Sequence, residues 1–66
     1  MAITDAQLRT LRNNALEVPG ELLEKLTKEE AMGIISDMYS GGYTRNSKAV
    51  GTVEFWSKVK NSLEAK

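Results

Sequence analysis

Histidine and cysteine are both absent from this 66-residue chain, and proline occurs once. Histidine is the side chain whose ordinary pKa best suits proton transfer near neutral pH, and it activates serine and cysteine nucleophiles. Histidine and cysteine are also the usual ligands of zinc and most transition metals. Glycine-rich phosphate-binding motifs are missing as well. We therefore expect no bound metal or cofactor and a protein that is not an enzyme.

Carboxylates are the remaining candidates for acid–base chemistry. The sequence pairs Glu21 with Glu24 and Glu29 with Glu30. These glutamates fall in the first turns of predicted helices, where the positive end of the backbone dipole favours acidic side chains. No neighbouring pattern predicts the burial that would raise a carboxyl pKa. The pairs therefore indicate helix starts rather than a catalytic site.

Long hydrophobic runs are also lacking. No stretch approaches the roughly 18 consecutive apolar residues of a membrane span. The N-terminus has no basic segment followed by an apolar run, so we expect no secretory signal. We predict a cytoplasmic protein that does not contact membranes, built as a single helical domain over residues 1–66.

Two helix-start signatures are the most informative patterns that the chain does contain. Thr4 is followed by Gln7, and Thr27 is followed by Glu30. In each pair the threonine hydroxyl can accept from a backbone N–H, and the Gln or Glu side chain can accept from the threonine N–H. An apolar residue before each cap and another at the fourth helical position complete the pattern, namely Ile3 with Leu8 and Leu26 with Ala31.

The apolar spacing predicts an all-α fold. Three main helices are expected over about 5–16, 28–40 and 53–64, with a short helical turn near 21–26. Pro19 biases Val18 away from the helical region and so ends the first helix. The expected core positions are Leu8, Leu11, Ala15, Ala31, Ile34, Ile35, Met38, Phe55, Trp56, Val59 and Leu63.

Glycine and threonine mark the remaining boundaries. Gly41-Gly42 predicts a left-handed end to the 28–40 helix, and Thr52 is the predicted N-cap of the last helix. Gly33 lies inside a helix, where it costs roughly 1 kcal/mol relative to alanine, so we expect another helix to approach closely there. The 43–52 segment is open to three readings: a loop, a helical turn near Ser47, or a short hairpin that pairs 43–44 with 50–55.

Charge is unevenly distributed along a chain with nine basic and nine acidic residues. Residues 1–40 carry four basic and seven acidic side chains, whereas residues 41–66 carry five basic and two acidic ones. Such a charge dipole can steer association with a charged partner. The alternative is a solvated surface with a chance imbalance.

Several side chains are candidates for partner contact. Met32 and Tyr39 are seven residues apart and share a flank of the predicted helix, where they would form an apolar patch. Trp56 is expected in the core despite its frequency at interfaces. The candidate surface combines that flank, the basic loop and the last helix through Met32, Tyr39, Tyr43, Arg45, Lys48, Lys58 and Lys60.

Residues 4–39 follow a wider pattern. The pattern consists of a Thr-x-x-Gln-x-x-x-Leu opening, a glycine-containing acidic linker, a Leu-Thr-Lys-x-Glu-Ala segment and an isoleucine-containing helix end. In this chain the corresponding residues are Thr4, Gln7 and Leu11, Gly20-Glu21, Leu26 to Ala31 and Ile34-Ile35. It resembles a small helical module of unknown function. Such modules occur as free-standing bacterial proteins and as tails on phage and plasmid proteins that handle DNA. The resemblance implies a helical adaptor without assigned catalytic residues, in a phage or mobile-element context.

These observations predict a non-enzymatic adaptor or small phage-type modulator that docks to another protein. One alternative is direct nucleic-acid binding through Arg45, Lys48, Lys58 and Lys60, although the sequence pI near 6.2 is low for that class. A further alternative is a homo-oligomeric structural protein, in which the chain associates with itself.

Overall fold

The computed structural model describes residues 1–47 and 49–66. It contains four helices, α1 (Asp5–Asn14), α2 (Gly20–Leu23), α3 (Lys28–Gly41) and α4 (Thr52–Glu64). Within the described residues there is no strand, and one isolated antiparallel bridge joins Ala2 to Thr27. The predicted all-α fold is confirmed, and the hairpin reading of the segment before the last helix is wrong.

Both predicted capping boxes form. The Thr4 hydroxyl accepts from the Gln7 N–H at 3.1 Å, and Gln7 Oε1 accepts from the Thr4 N–H at 3.1 Å. The Thr27 hydroxyl accepts from the Glu30 N–H at 3.1 Å, and Glu30 Oε1 accepts from the Thr27 N–H at 3.0 Å. Local sequence chemistry therefore sets where α1 and α3 begin.

The two helix starts also lie side by side. The Ile3 N–H donates to the Leu26 carbonyl at 3.2 Å, and the Lys28 N–H donates to the Met1 carbonyl at 2.8 Å. Gln7 Nε2 donates to the Lys28 carbonyl at 3.1 Å, so one side chain completes a cap in α1 and joins α1 to α3. These bonds fix the first turns of α1 and α3 to each other.

The turn between α1 and α2 corrects two predicted boundaries. Helix α1 ends at Asn14 rather than near residue 16, because Ala15 adopts an extended conformation with ψ of 134°. Glu17 then takes a left-handed conformation with φ of 58°, which reverses the chain and directs Val18 into the core. Helix α2 ends at Leu23, short of residue 26, and the chain continues as a tighter turn in which the Lys25 N–H donates to the Leu22 carbonyl and the Leu26 N–H to the Leu23 carbonyl.

The connection between α3 and α4 contains one confirmed and one corrected boundary. Gly42 ends α3 with a φ of 70°, and the Tyr43 N–H donates to the Met38 carbonyl at 2.8 Å. The predicted glycine stop is thus correct, with α3 reaching Gly41. The N-cap of α4 is Gly51, so the assignment of Thr52 as the cap is wrong. Thr52 is the first helical residue and is buried.

One hydrophobic core holds the helices together. Helix α1 packs on α2 and α3, and α2 packs on α4. Trp56 is 1 % exposed, which confirms its predicted place in the core. The other buried apolar side chains are Leu11, Ala15, Val18, Leu23, Leu26, Ala31, Met38 and Leu63. None of the described helices combines the length and hydropathy that a bilayer crossing needs.

Candidate functional site

Met32 and Tyr39 form an exposed apolar flank on α3, as their spacing predicts. Met32 is 58 % exposed and Tyr39 is 61 % exposed. Ala31 and Met38, which directly precede them in the sequence, are fully buried. We call Met32 and Tyr39 the α3 flank. Because its backbone belongs to a helix that is capped at both ends, the flank is a preformed surface.

A second apolar surface is a groove between α3 and α4, with a volume of about 470 Å³. The charged side chains on its α3 wall are acidic and those on its α4 wall are basic. We call this feature the α3–α4 groove. Its apolar lining is Leu26, Gly33, Ile34, Phe55, Val59 and Leu63, and its polar lining is Glu29, Glu30, Asp37, Lys58, Ser62 and Lys66.

The α3 flank and the α3–α4 groove lie on different sides of α3. Asp37 lines the groove and Tyr39 belongs to the flank. Residues two positions apart on a helix are separated by about 160° around the axis. A molecule bound in the groove therefore leaves Tyr39 accessible.

The predicted basic residues do not form one patch. Lys58 lines the α3–α4 groove and pairs with Glu54 at 3.9 Å. Lys60 is half-buried in a shallow depression beside Glu17, and Arg45 borders a separate depression that also reaches Glu17. Lys58 and Lys60 are two residues apart on α4, so their side chains project about 160° apart around the helix axis. The predicted contact residue Lys48 lies outside the described residues.

Tyr43 is engaged in packing at the base of the connection between α3 and α4. Its ring stacks on Phe55 with centroids 4.8 Å apart, and its carbonyl accepts from Trp56 Nε1 at 2.7 Å. The ring also lies against two glycines, since a Cβ on Gly41 would overlap it and a Cβ on Gly51 would come within 3.0 Å of it. Tyr43 therefore packs over the end of α3 and anchors the segment that carries Arg45.

Sequence reasoning missed two exposed valines and misread a glycine. Val50 is 99 % exposed and Val53 is 60 % exposed, on the turn before α4 and in its first helical turn. Gly33 has no atom within 4 Å of the position that a Cβ would occupy, so the expectation that another helix of this chain packs closely against it is wrong. Gly33 instead lines the open wall of the α3–α4 groove.

Glu30 links the start of α3 to the end of α4. Lys66 Nζ donates to Glu30 Oε1, and this bond, together with the bond from the Thr27 N–H, holds the pKa of Glu30 below its ordinary value. Glu30 is therefore an ionised structural partner at neutral pH. Across residues 1–47 and 49–66, no three acidic side chains converge as a metal ion would require.

The geometry thus includes two apolar surfaces on a helical scaffold, with Glu30 serving in both a helix cap and an ion pair. Comparison with known proteins gives no match to a family model, to a curated protein or to a solved structure.

Proposed function

We propose that this chain is a non-enzymatic protein-binding adaptor that docks to a partner protein through the α3 flank. The observation that carries the proposal is the exposure of Met32 and Tyr39, each more than half accessible on a helix that also contributes Ala31 and Met38 to the core. Methionine and tyrosine are enriched in protein interfaces, and exposed apolar side chains that share one helix face mark interaction surfaces. The matching partner surface is an apolar hollow that receives a methionine and a tyrosine ring.

The rigidity of α3 supports this role. A capping box fixes its start and a left-handed glycine fixes its end. Docking a preformed helix face requires little ordering of the backbone, so more of the contact free energy appears as affinity. A 66-residue chain can therefore bind through a small number of side chains.

We also propose a cellular setting for this function. A cytoplasmic adaptor or a small phage-type modulator fits a chain whose recognisable chemistry is limited to helix caps and apolar faces. Direct nucleic-acid binding has less support, because Lys58 points away from Lys60 and pairs with Glu54. A dispersed set of cations offers fewer simultaneous phosphate contacts than a continuous basic stripe.

A capture experiment with two matched double variants tests the α3 flank. Immobilised wild type, Met32→Ser/Tyr39→Ser and Val50→Ser/Val53→Ser are incubated with lysate of the source cells, and bound proteins are quantified by mass spectrometry. The second variant removes exposed apolar area of similar extent from a different surface. We expect a partner that the wild type and the valine variant retain and that the Met32/Tyr39 variant loses about tenfold or more, as expected for two interface anchors.

Two outcomes would count against the proposal. Equal capture by all three proteins would exclude the α3 flank as the docking surface. Capture of nucleic acid alone, lost on raising the salt concentration, would favour the phosphate-binding alternative. Circular dichroism of each variant provides the folding control.

A further inference from the structure

We propose that the α3–α4 groove is occupied by a second copy of this chain, which gives a two-fold symmetric dimer with a four-helix interface. The proposal is distinct from partner docking, because Tyr39 of the α3 flank lies about 160° around the helix axis from Asp37, which lines the groove. Three observations carry it. The groove is open to solvent, its two walls carry opposite charges, and opposite charges lie at similar positions along the helix axes.

The groove is open to a second copy. No Cα atom of α3 lies within 8 Å of a Cα atom of α4 among the described residues. Packed helices approach to 8–10 Å between their axes. The α3–α4 pair is therefore open toward solvent above the apolar side chains at the bottom of the groove, which we call its apolar floor. Gly33 lies on the α3 wall with nothing near its missing Cβ, which allows a second backbone to come close.

The charges of the two walls make the groove complementary to itself. Glu29 and Asp37 line the α3 wall, and Lys58 lines the α4 wall. A two-fold axis parallel to the groove places the α3 wall of one copy on the α4 wall of the other, so opposite charges meet. An axis across the groove would bring acidic wall onto acidic wall. Charge therefore selects the first arrangement.

The positions of the charged residues along α3 and α4 agree with that axis. Helices α3 and α4 run antiparallel, since Lys66 meets Glu30 at one end and Tyr43 joins Gly41 to Phe55 at the other. Asp37 and Lys58 lie at similar positions along the pair, because Asp37 is four residues from Gly41 and Lys58 is three residues from Phe55. Rotation about an axis along the groove leaves the position of each residue along that axis unchanged. Asp37 of one copy therefore faces Lys58 of the other.

The same rotation produces a favourable helix arrangement. Helix α3 of one copy lies beside α4 of the other, and these two helices are antiparallel. Every neighbouring pair among the four helices is then antiparallel, as in up-down four-helix bundles. The apolar floor of each copy covers that of the other, and Gly33 lies where the copies approach most closely.

The size of the groove predicts a weak dimer. Twelve residues line it, against the 20–30 residues per side of a standard stable interface. The pairing of Lys58 with Glu54 at 3.9 Å does not compete strongly, because both side chains are more than 70 % exposed. We expect concentration-dependent and salt-sensitive self-association.

The decisive test exchanges charges between copies. Sedimentation velocity is run on wild type, Asp37→Lys, Lys58→Glu and an equimolar mixture of the two variants, at low and high salt. Each variant alone faces like charges across the axis, so its dimer should weaken about tenfold or more. In the mixture, the lysine introduced in one variant faces the glutamate introduced in the other, and the second contact is the native pair of Asp37 with Lys58. Dimerisation should therefore return to the wild-type range.

A second test blocks the approach at Gly33 without disturbing the monomer. Gly33→Leu places a side chain in open space and improves helix propensity, so thermal stability should hold or rise while the dimer is lost. Ala6→Leu adds a leucine to the exposed side of α1, away from the groove, and should leave self-association unchanged. Wild type that stays monomeric to roughly 1 mM at low salt overturns the proposal. So does a dimer that tolerates Gly33→Leu, or variants that do not rescue each other on mixing.

Discussion

At the scale of single residues, Thr52 is the clearest departure from the sequence pattern. Its side chain is 3 % exposed, and its hydroxyl has no hydrogen-bond partner among the described residues. The helix begins one position earlier than the cap pattern predicts, which turns the threonine into the core. An unpaired buried hydroxyl costs about 1–3 kcal/mol in desolvation.

Replacing that hydroxyl with a methyl group should stabilise the protein. Thr52→Val keeps the β-branched shape and removes the unpaired group, so we expect the free energy of unfolding in urea to rise by about 1 kcal/mol. Thr52→Ala is the control, and it should lower stability because it also removes a packed methyl. A loss of stability in Thr52→Val would mean that the hydroxyl is satisfied in solution.

Gln7 and Glu30 show what a single sequence can and cannot predict about a residue. Both occupy the third position of a capping box, and their contact with the threonine is predictable because it spans three residues. Each also makes a second contact, Gln7 to the Lys28 carbonyl and Glu30 to Lys66. These partners are 21 and 36 residues away, where no local pattern reaches.

At the scale of helices, the two starts with capping boxes were predicted correctly for the same reason. The starts of α1 and α3 depend on side chains within one turn of the cap. The end of α1 depends instead on placing Ala15 and Val18 in the core through a left-handed Glu17. No glycine or asparagine announces that conformation, so the apolar stripe alone extended α1 to residue 16.

The junction between α3 and α4 provides a prediction at this scale. Gly41→Ala would push a Cβ into the Tyr43 ring, which is confined by Phe55 and by its own backbone bond to Trp56. We expect a loss of about 1–3 kcal/mol in unfolding free energy, as for overpacked cores, and a changed Trp56 fluorescence spectrum.

Gly33→Ala is the matched control for that substitution. Both glycines lie within α3, but the added methyl at Gly33 meets open space. Stability should therefore rise by roughly 1 kcal/mol, as helix propensity predicts. Equal effects at the two positions would show that helix propensity, rather than the Tyr43 ring, determines the response at Gly41.

At the scale of the whole molecule, α3 separates two surfaces with different predictability. The α3 flank follows from helical spacing alone, because Met32 and Tyr39 fall on one side of a helix with a known core face. The α3–α4 groove depends on how two helices are placed relative to each other, which the sequence pattern leaves open. The acidic α3 wall belongs to the acidic half of the chain, residues 1–40, and the basic α4 wall belongs to the basic half, residues 41–66. A dimer through the groove would display two α3 flanks, so partner binding would gain from bivalency.

The bond between Glu30 and Lys66 joins those halves and gives the fold a pH dependence. The folded-state pKa of Glu30 lies below its ordinary value, chiefly because Lys66 Nζ donates to its carboxylate. A carboxyl with a depressed folded pKa contributes stability above its unfolded pKa and loses that contribution as the pH falls through the folded pKa. The unfolded pKa of glutamate is about 4.3, so the change falls in the acid range below that value.

Glu30→Gln isolates this contribution because the amide oxygen can still accept from the Thr27 N–H. We expect the variant to be less stable than wild type at pH 7 and equally stable once the carboxylate of the wild type is protonated, measured as urea midpoints from pH 7 to about pH 2. Glu29→Gln removes a carboxylate from the same helical turn and should keep the acid-range loss, because Glu30 and Lys66 remain. If the midpoints of Glu30→Gln and wild type stay parallel over the whole range, the ion pair does not connect α3 to α4 in solution.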